Sequence, residues 1–160
     1  MKHHLRRQDK EIKDLSLLKK ILKQTKYVTI AMCKDNLPYL VTLSHGYDEE
    51  NNCIYFHCAT EGKKLDYLKA NDTVWGQALL DYGYEGNCTQ HYATVMFQGK
   101  VSFVDEIEKK RNAFIVMKEH LDSSQKGLEE YLKASISKTL VGKISIEFLS
   151  GKKSSKELKV

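Results

Sequence analysis

Long apolar runs are missing from this chain: nowhere do the roughly 18 consecutive apolar residues of a membrane-crossing helix occur. No membrane partner is expected. The N-terminus, Met-Lys-His-His-Leu-Arg-Arg, is basic but runs into Gln-Asp-Lys-Glu rather than an apolar stretch, so it does not read as a signal peptide and a cytoplasmic location is expected. Cysteine is sparse and unpaired in pattern. Cys33, Cys53, Cys58 and Cys88 form no Cys-x-x-Cys pair; Cys88 and His91 lie three apart and His57 and Cys58 are adjacent, but two regular ligand pairs do not emerge. The thiols are expected reduced and no metal site is expected. No stretch interleaves arginine with aromatics and no helix-turn-helix or zinc-finger spacing occurs, which argues against nucleic acid. The Gly-x-Gly-x-x-Gly fingerprint is absent too, and with it the expectation of a dinucleotide-binding Rossmann domain.

What remains is an ordinary globular composition, 41% hydrophobic and 29% charged over 160 residues, enough for one compact core. The expected domain covers residues 1–150, followed by a lysine-rich tail at 151–160. A net charge of +5, spread along the chain, suits solubility or an anionic ligand.

Periodicity orders the elements. Leu15, Leu18, Ile21 and Leu22 recur at helical spacing within residues 14–25. Residues 26–33 read as a strand, Lys34, Asp35 and Asn36 as a tight turn, and residues 38–47 as a second strand. A polar turn at 48–52 leads to a third strand at 53–59, the three forming an expected meander. Residues 73–80 are strand-like, 81–87 a loop rich in glycine and tyrosine, and 91–104 the longest strand candidate, with Gly99 as a bulge or a close approach. Helices are expected at 105–121, with Ile107, Phe114, Ile115 and Met117 apolar, and at 128–135. A half-buried closing strand at 139–149 completes the set. The fold class is therefore α+β: a six-stranded antiparallel split β-barrel with flanking helices.

The segment after the third strand carries chemistry. Thr60 is positioned to cap a helix whose first turn holds Gly62, Lys63 and Lys64 and whose apolar positions are Leu65 and Leu68. Backbone donors at a helix start together with two ammonium groups attract a phosphate.

Five segments now carry a family likeness: Leu-Arg-Arg-Gln-Asp-Lys-Glu from Leu5; residues 38–47; residues 54–68; His-Tyr-Ala-Thr-Val from His91 leading to Gly99 and Lys100; and Ile-Glu-Phe-Leu-Ser-Gly-Lys from Ile146. In this order they resemble the FMN-binding split-barrel proteins related to pyridoxamine 5'-phosphate oxidase, nearest in look to the nitroimidazole-resistance (Nim) branch. The resemblance implies a homodimer with FMN where the subunits meet. It implies flavin contacts from Leu40, Val41, Thr42, Leu43, Ser44 and His45, from His57 and Cys58, from Thr94, and a phosphate grip by Lys63 and Lys64 beside Thr60. Leu40 and Lys63 stand where the oxidase pattern has arginines, so bidentate clamps become point charges. The oxidase's C-terminal arginine and histidine signature is absent, which argues against a pyridoxal-type substrate.

The implied activity is that of a flavoprotein oxidoreductase taking electrons from a small-molecule donor to a small acceptor such as a nitro-aromatic or quinone. His57 is the candidate catalytic group, since an imidazole titrates near neutral pH. The ring is expected to bury against Leu40, Val41, Leu43 and the second subunit, and Arg6 and Arg7 to lie across that subunit. His91 and Tyr92 are read as lining the pocket mouth and Tyr82 and Tyr84 as a lid, or all four as ordinary barrel and interface aromatics; Trp75 carries no functional reading. The alternatives are a non-catalytic FMN-binding or sensing protein, or the same fold holding heme or deazaflavin.

Overall fold

The computed structural model describes residues 5–122, 126–155 and 160. Residues 1–4 of the N-terminal segment and 156–159 of the expected tail lie outside the described residues. Helix α1 (Leu15–Gln24) starts at Asp14, whose carboxylate accepts the Ser16 N–H at 2.8 Å, and buries Leu18, Ile21 and Leu22. Leu15, expected on that face, is 54% exposed because it precedes the turn that meets the barrel.

Strand β1 (Tyr27–Lys34) turns into β2 (Leu37–Ser44) through Asp35 and Asn36, both at positive φ (51° and 62°), the conformation a two-residue hairpin requires. Then come β3 (Gly46–Asp48), β4 (Cys53–Cys58), α2 (Lys63–Ala70), β5 (Thr73–Glu85) and β6 (Thr89–Val104). Helices α3 (Ile107–Leu121) and α4 (Leu128–Ser135) lead to the last strand, β7 (Leu140–Lys153). Ile107 is exposed, while Phe114 and Met117 are buried as the helical spacing requires. The glycine-tyrosine segment is mostly strand: β5 runs to Glu85 and the hairpin turns at residues 86–88. Strand β7 runs to Lys153, so the first residues of the expected tail belong to the sheet. Gly99 marks a register shift against β7, as expected.

The described strands form one antiparallel sheet of seven, ordered β2-β1-β5-β6-β7-β4-β3. Seven replaces the expected six because residues 38–47 do not form one strand. The chain breaks at His45, leaving β1 for β4 as its partner. The expected meander is broken for the same reason: β2 and β4 are not neighbours, and β4 pairs with β3 instead. The two ends of the sheet order, β2 and β3, are separated in the chain by this single residue. Two residue steps span at most about 7 Å, so the sheet must curl until its ends meet, and it stays unbonded along the seam. This is a split barrel.

Its interior holds Ile30, Met32, Ile54, Phe56, Val74, Val95, Phe97 and Ile144, with Ile21 and Leu22 of α1 against them. Two glycines make room for the two phenyl rings. Gly142 pairs directly with Phe56 and Gly76 with Phe97; a Cβ on either would lie 2.2 Å or 2.1 Å from the facing ring. A second apolar cluster joins α3 and α4 to the outside of the barrel through Ala113, Phe114, Met117, Leu128, Leu132 and Val141. Val141 of β7 is fully buried there.

Candidate functional site

The seam at His45 organises the site. Extending the β3–β4 register beyond Gly46↔Tyr55 would set Ser44 opposite His57 and Thr42 opposite Ala59. Instead β2 turns to pair with β1, with Ser44 facing Tyr27 and Thr42 facing Thr29. A notch therefore opens between the free edge of β2 and the end of β4.

The first turn of α2 bridges the two walls of this notch. Lys63 Nζ lies 4.5 Å from the ring centre of Tyr39 on β2, and Lys64 Nζ lies 5.5 Å from that of Phe56 on β4. The helix begins at Gly62, whose φ of 128° is a conformation that side-chain-bearing residues rarely adopt. Gly62 O accepts from the Leu65 and Asp66 N–H groups, and no side chain caps this start, so the expected capping by Thr60 does not occur. Thr60 is exposed beside the turn.

Alternation sorts the remaining expected contacts. On β2, Leu40, Thr42 and Ser44 point outward and are exposed, whereas Val41 and Leu43 turn into the barrel. Val41 and Leu43 are therefore not walls for a ligand on the outer face, and of the three expected ring contacts only Leu40 is open to it.

His45 is sealed in the seam itself. It is 0% exposed, its Nε2–H is directed at Leu22 O (3.3 Å), its ring centre lies 4.4 Å from that of His120, and its Nδ1 has no hydrogen-bond partner among the described residues. Burial and the nearby His120 push its pKa down to about 4. His45 is a joint residue, not a ligand contact.

Thr94 sits on β6, three strands from β2. Its hydroxyl donates to Ala78 O (2.9 Å) and accepts from Gln77 Nε2 (3.0 Å), so it is already satisfied within the sheet.

His57 and Cys58 end β4 on opposite faces. Cys58 packs against the barrel core and burial pushes its thiol pKa up, with Lys64 opposing, so the group stays protonated. His57 points outward to α3 and α4, with Phe114 and Tyr131 at centroid distances of 5.7 Å and 6.4 Å. It lines a cavity of about 340 Å³ with Phe114, Met117, Leu121, Leu128 and Tyr131. Burial, and then Lys64, lower its pKa, so the imidazole is neutral at pH 7. Arg7 is bound to Asp9 of its own chain at 2.6 and 2.8 Å.

Sequence reasoning missed the outer face of the sheet. The registers align Leu40, Ala31, Trp75, Gln98 and Phe148 in one row across five strands, and Thr42, Thr29, Gln77, Met96 and Ser150 in the next. Trp75 and Phe148 meet edge to face at 5.9 Å, and Thr29 and Thr42 share a hydrogen bond of 2.9 Å. Neither row carries a charge. The signal was present in β5, where inward Val74, Gly76 and Ala78 leave Trp75 and Leu79 outward.

Residues 16–153 match the family described as pyridoxamine 5'-phosphate oxidase. The chain belongs to the pyridoxamine 5'-phosphate oxidase family. Within that family's fold, it is similar to a candidate 5-nitroimidazole antibiotic resistance protein from Bacteroides thetaiotaomicron, at 23% identity over 94% of this chain and 95% of that one, with a TM-score of 0.78. A FAD-binding protein from Mesorhizobium loti aligns at 22% identity over 89% and 96% of the two chains, TM-score 0.68. The flavocytochrome Anf3 from Azotobacter vinelandii aligns at 17% identity over 99% of this chain and 76% of that one, TM-score 0.77. At these identities the likeness establishes the fold. No match was found among curated protein sequences. Among the described residues of this family member, no helix is long and apolar enough to cross a membrane, and no cluster of three or more His, Cys, Asp or Glu side chains is placed to hold a metal.

Proposed function

We propose that this protein binds FMN in the notch between β2 and β4, as a homodimer, and acts as an oxidoreductase between a reduced carrier and a small acceptor such as a nitro-aromatic or quinone. The carrying observation is the placement of Lys63 and Lys64 at the start of α2, each beside an aromatic ring of a different wall. Two ammonium groups at a helix start match the dianion of FMN's phosphate monoester, whose two charges sit on one phosphorus, whereas FAD spreads its two charges over a diphosphate. The exposed hydroxyls of Thr42 and Ser44 suit a polyol chain, and Leu40 offers apolar surface beyond them. FAD-binding and flavocytochrome structures of the same fold support a flavin in general.

Bound FMN would supply the electron chemistry. The chain's task is to grip, orient and shield. Lys63 and Lys64 hold the phosphate, and His57, neutral and open to its cavity, would present one N–H donor and one acceptor to the acceptor molecule. The uncharged outer face, with Trp75 39% and Leu40 63% exposed, supports covering by a second copy. In that arrangement the second copy would cover the flavin ring, which one barrel leaves open.

An FMN titration of the wild type beside a Lys63→Ala, Lys64→Ala double variant tests the reading. Charge-assisted bonds contribute about 1.5–3 kcal/mol each, so the double variant should bind at least about tenfold more weakly with an unchanged melting temperature. Equal affinity would place the phosphate elsewhere, and a wild type that takes up no flavin would remove the assignment. A non-catalytic binding or sensing role is favoured by one observation: the protonated, inward Cys58 leaves the notch with few acid-base groups besides His57. Saturable FMN binding without turnover would select it. The visible spectrum distinguishes heme or deazaflavin.

A further inference from the structure

Lysine is a costly phosphate ligand because its side chain has four rotatable bonds to immobilise. Lys63 does not lie loose in this fold. Its Nζ sits 4.5 Å from the ring centre of Tyr39 and 5.6 Å from that of Tyr67, both within the roughly 6 Å over which a ring face attracts a cation. The two rings pack on each other at 5.2 Å and 51°. Tyr67 follows Lys63 by one helical turn, the spacing that puts both on one face of α2. Tyr39 comes from the facing strand. Tyr67 is buried and Tyr39 is half-buried against the barrel core, so the rings are fixed while the ammonium is exposed.

We propose that Tyr39 and Tyr67 form an aromatic platform that holds the Lys63 ammonium at the mouth of the notch before the flavin phosphate arrives. The inference rests on the FMN reading above. Ring faces engage the ammonium from one side, and its N–H donors on the other side stay available to an anion. Tyr39 and Tyr67 are positioning residues: they act on the phosphate through Lys63. Among the described residues Lys64 meets the single ring of Phe56, at 5.5 Å, and is not held between two rings in this way.

Because only FMN carries the phosphate, the ratio of FMN to riboflavin affinity isolates the platform from the rest of the site. Tyr39→Leu keeps apolar bulk but removes the ring, and is expected to lower that ratio by about three- to tenfold with riboflavin affinity unchanged. Tyr39→Phe keeps the ring face and should retain the wild-type ratio. In a Lys63→Met background, Tyr39→Leu should have no further effect on the ratio. Should Tyr39→Leu fold poorly, the wild type alone still decides: in the flavin-free protein the Lys63 Hε protons should resonate upfield of other lysines through the ring currents. An unchanged ratio in folded Tyr39→Leu, or a Lys63 signal among the ordinary lysines, overturns the platform while leaving the FMN site standing. A wild type that binds FMN no better than riboflavin overturns both.

Discussion

Acidification is expected to open the seam at His45, and the size of the effect follows from the burial of that one ring. The imidazole is fully buried, its Nδ1 has no hydrogen-bond partner among the described residues, and its pKa is pushed from 6.5 down to about 4, first by burial and then by His120 and Lys26. In the unfolded chain it titrates near 6.5. Between about pH 6.5 and 4 the unfolded state therefore binds a proton that the native state refuses, and stability falls as pH falls, by about 1.4 kcal/mol per pH unit. The contribution is intact above about pH 6.5, is lost through the window below it, and amounts to about 3 kcal/mol by pH 4. His120 and His57 have lowered pKa values as well and add to the loss with the same sign. A domain of this size has about 5–15 kcal/mol in hand, so the loss is a sizeable fraction.

The perturbation that isolates His45 is His45→Phe. Leu22 O keeps the Thr25 hydroxyl as donor at 3.2 Å, so the variant leaves no stranded carbonyl. Urea unfolding of both proteins at about pH 7, 6 and 5 should give similar stabilities at the top of the range, with the variant's slope shallower by about one proton, or 1.4 kcal/mol per unit. Parallel slopes would refute the argument that this ring is held neutral in the seam.

Two further outcomes are expected. Gly142→Ala should cost about 1–3 kcal/mol by chemical denaturation, since its Cβ would overlap the Phe56 ring at 2.2 Å and that ring is locked in the barrel core; a change under about 0.5 kcal/mol would mean the ring moves freely aside. Trp75→Glu places a charge in the middle of the uncharged outer face without entering the core; it should shift the sedimenting species from dimer to monomer with little change in melting temperature, and a wild type that sediments as a monomer would contradict the proposed assembly.

Part of the candidate site was legible as local chemistry. The order of strands and helices, the lysine pair opening a helix after the β4 segment, and the two-residue turn at Asp35 and Asn36 all follow from patterns within a few residues of each other. What local reading could not supply is which face a residue takes once a strand bends. Residues 38–47 read as one strand, and the family resemblance implied contacts from all of residues 40–45, so Val41, Leu43 and His45 were grouped with Leu40, Thr42 and Ser44. The break at His45 changes the pairing partner, and alternation then places Val41 and Leu43 in the core. Thr60 was misread because side-chain capping is common at helix starts, whereas here Gly62 takes a backbone conformation that dispenses with it.

The sequence by itself determined the inventory: an α+β chain with strands of alternating burial, a basic helix start able to meet an anion, and no apparatus for a membrane helix, a Rossmann dinucleotide or a regular zinc site. These are properties of composition and short-range spacing. Tertiary structure alone decided that β2 and β3 part company at one residue, that the start of α2 sets Lys63 beside Tyr39 of β2 and Lys64 beside Phe56 of β4, and that Trp75, Leu40 and Phe148 share an outer face. Each depends on strand registers between segments far apart in the chain, where pairing is chosen by closure of the whole barrel around Phe56 and Phe97 and not by any local preference.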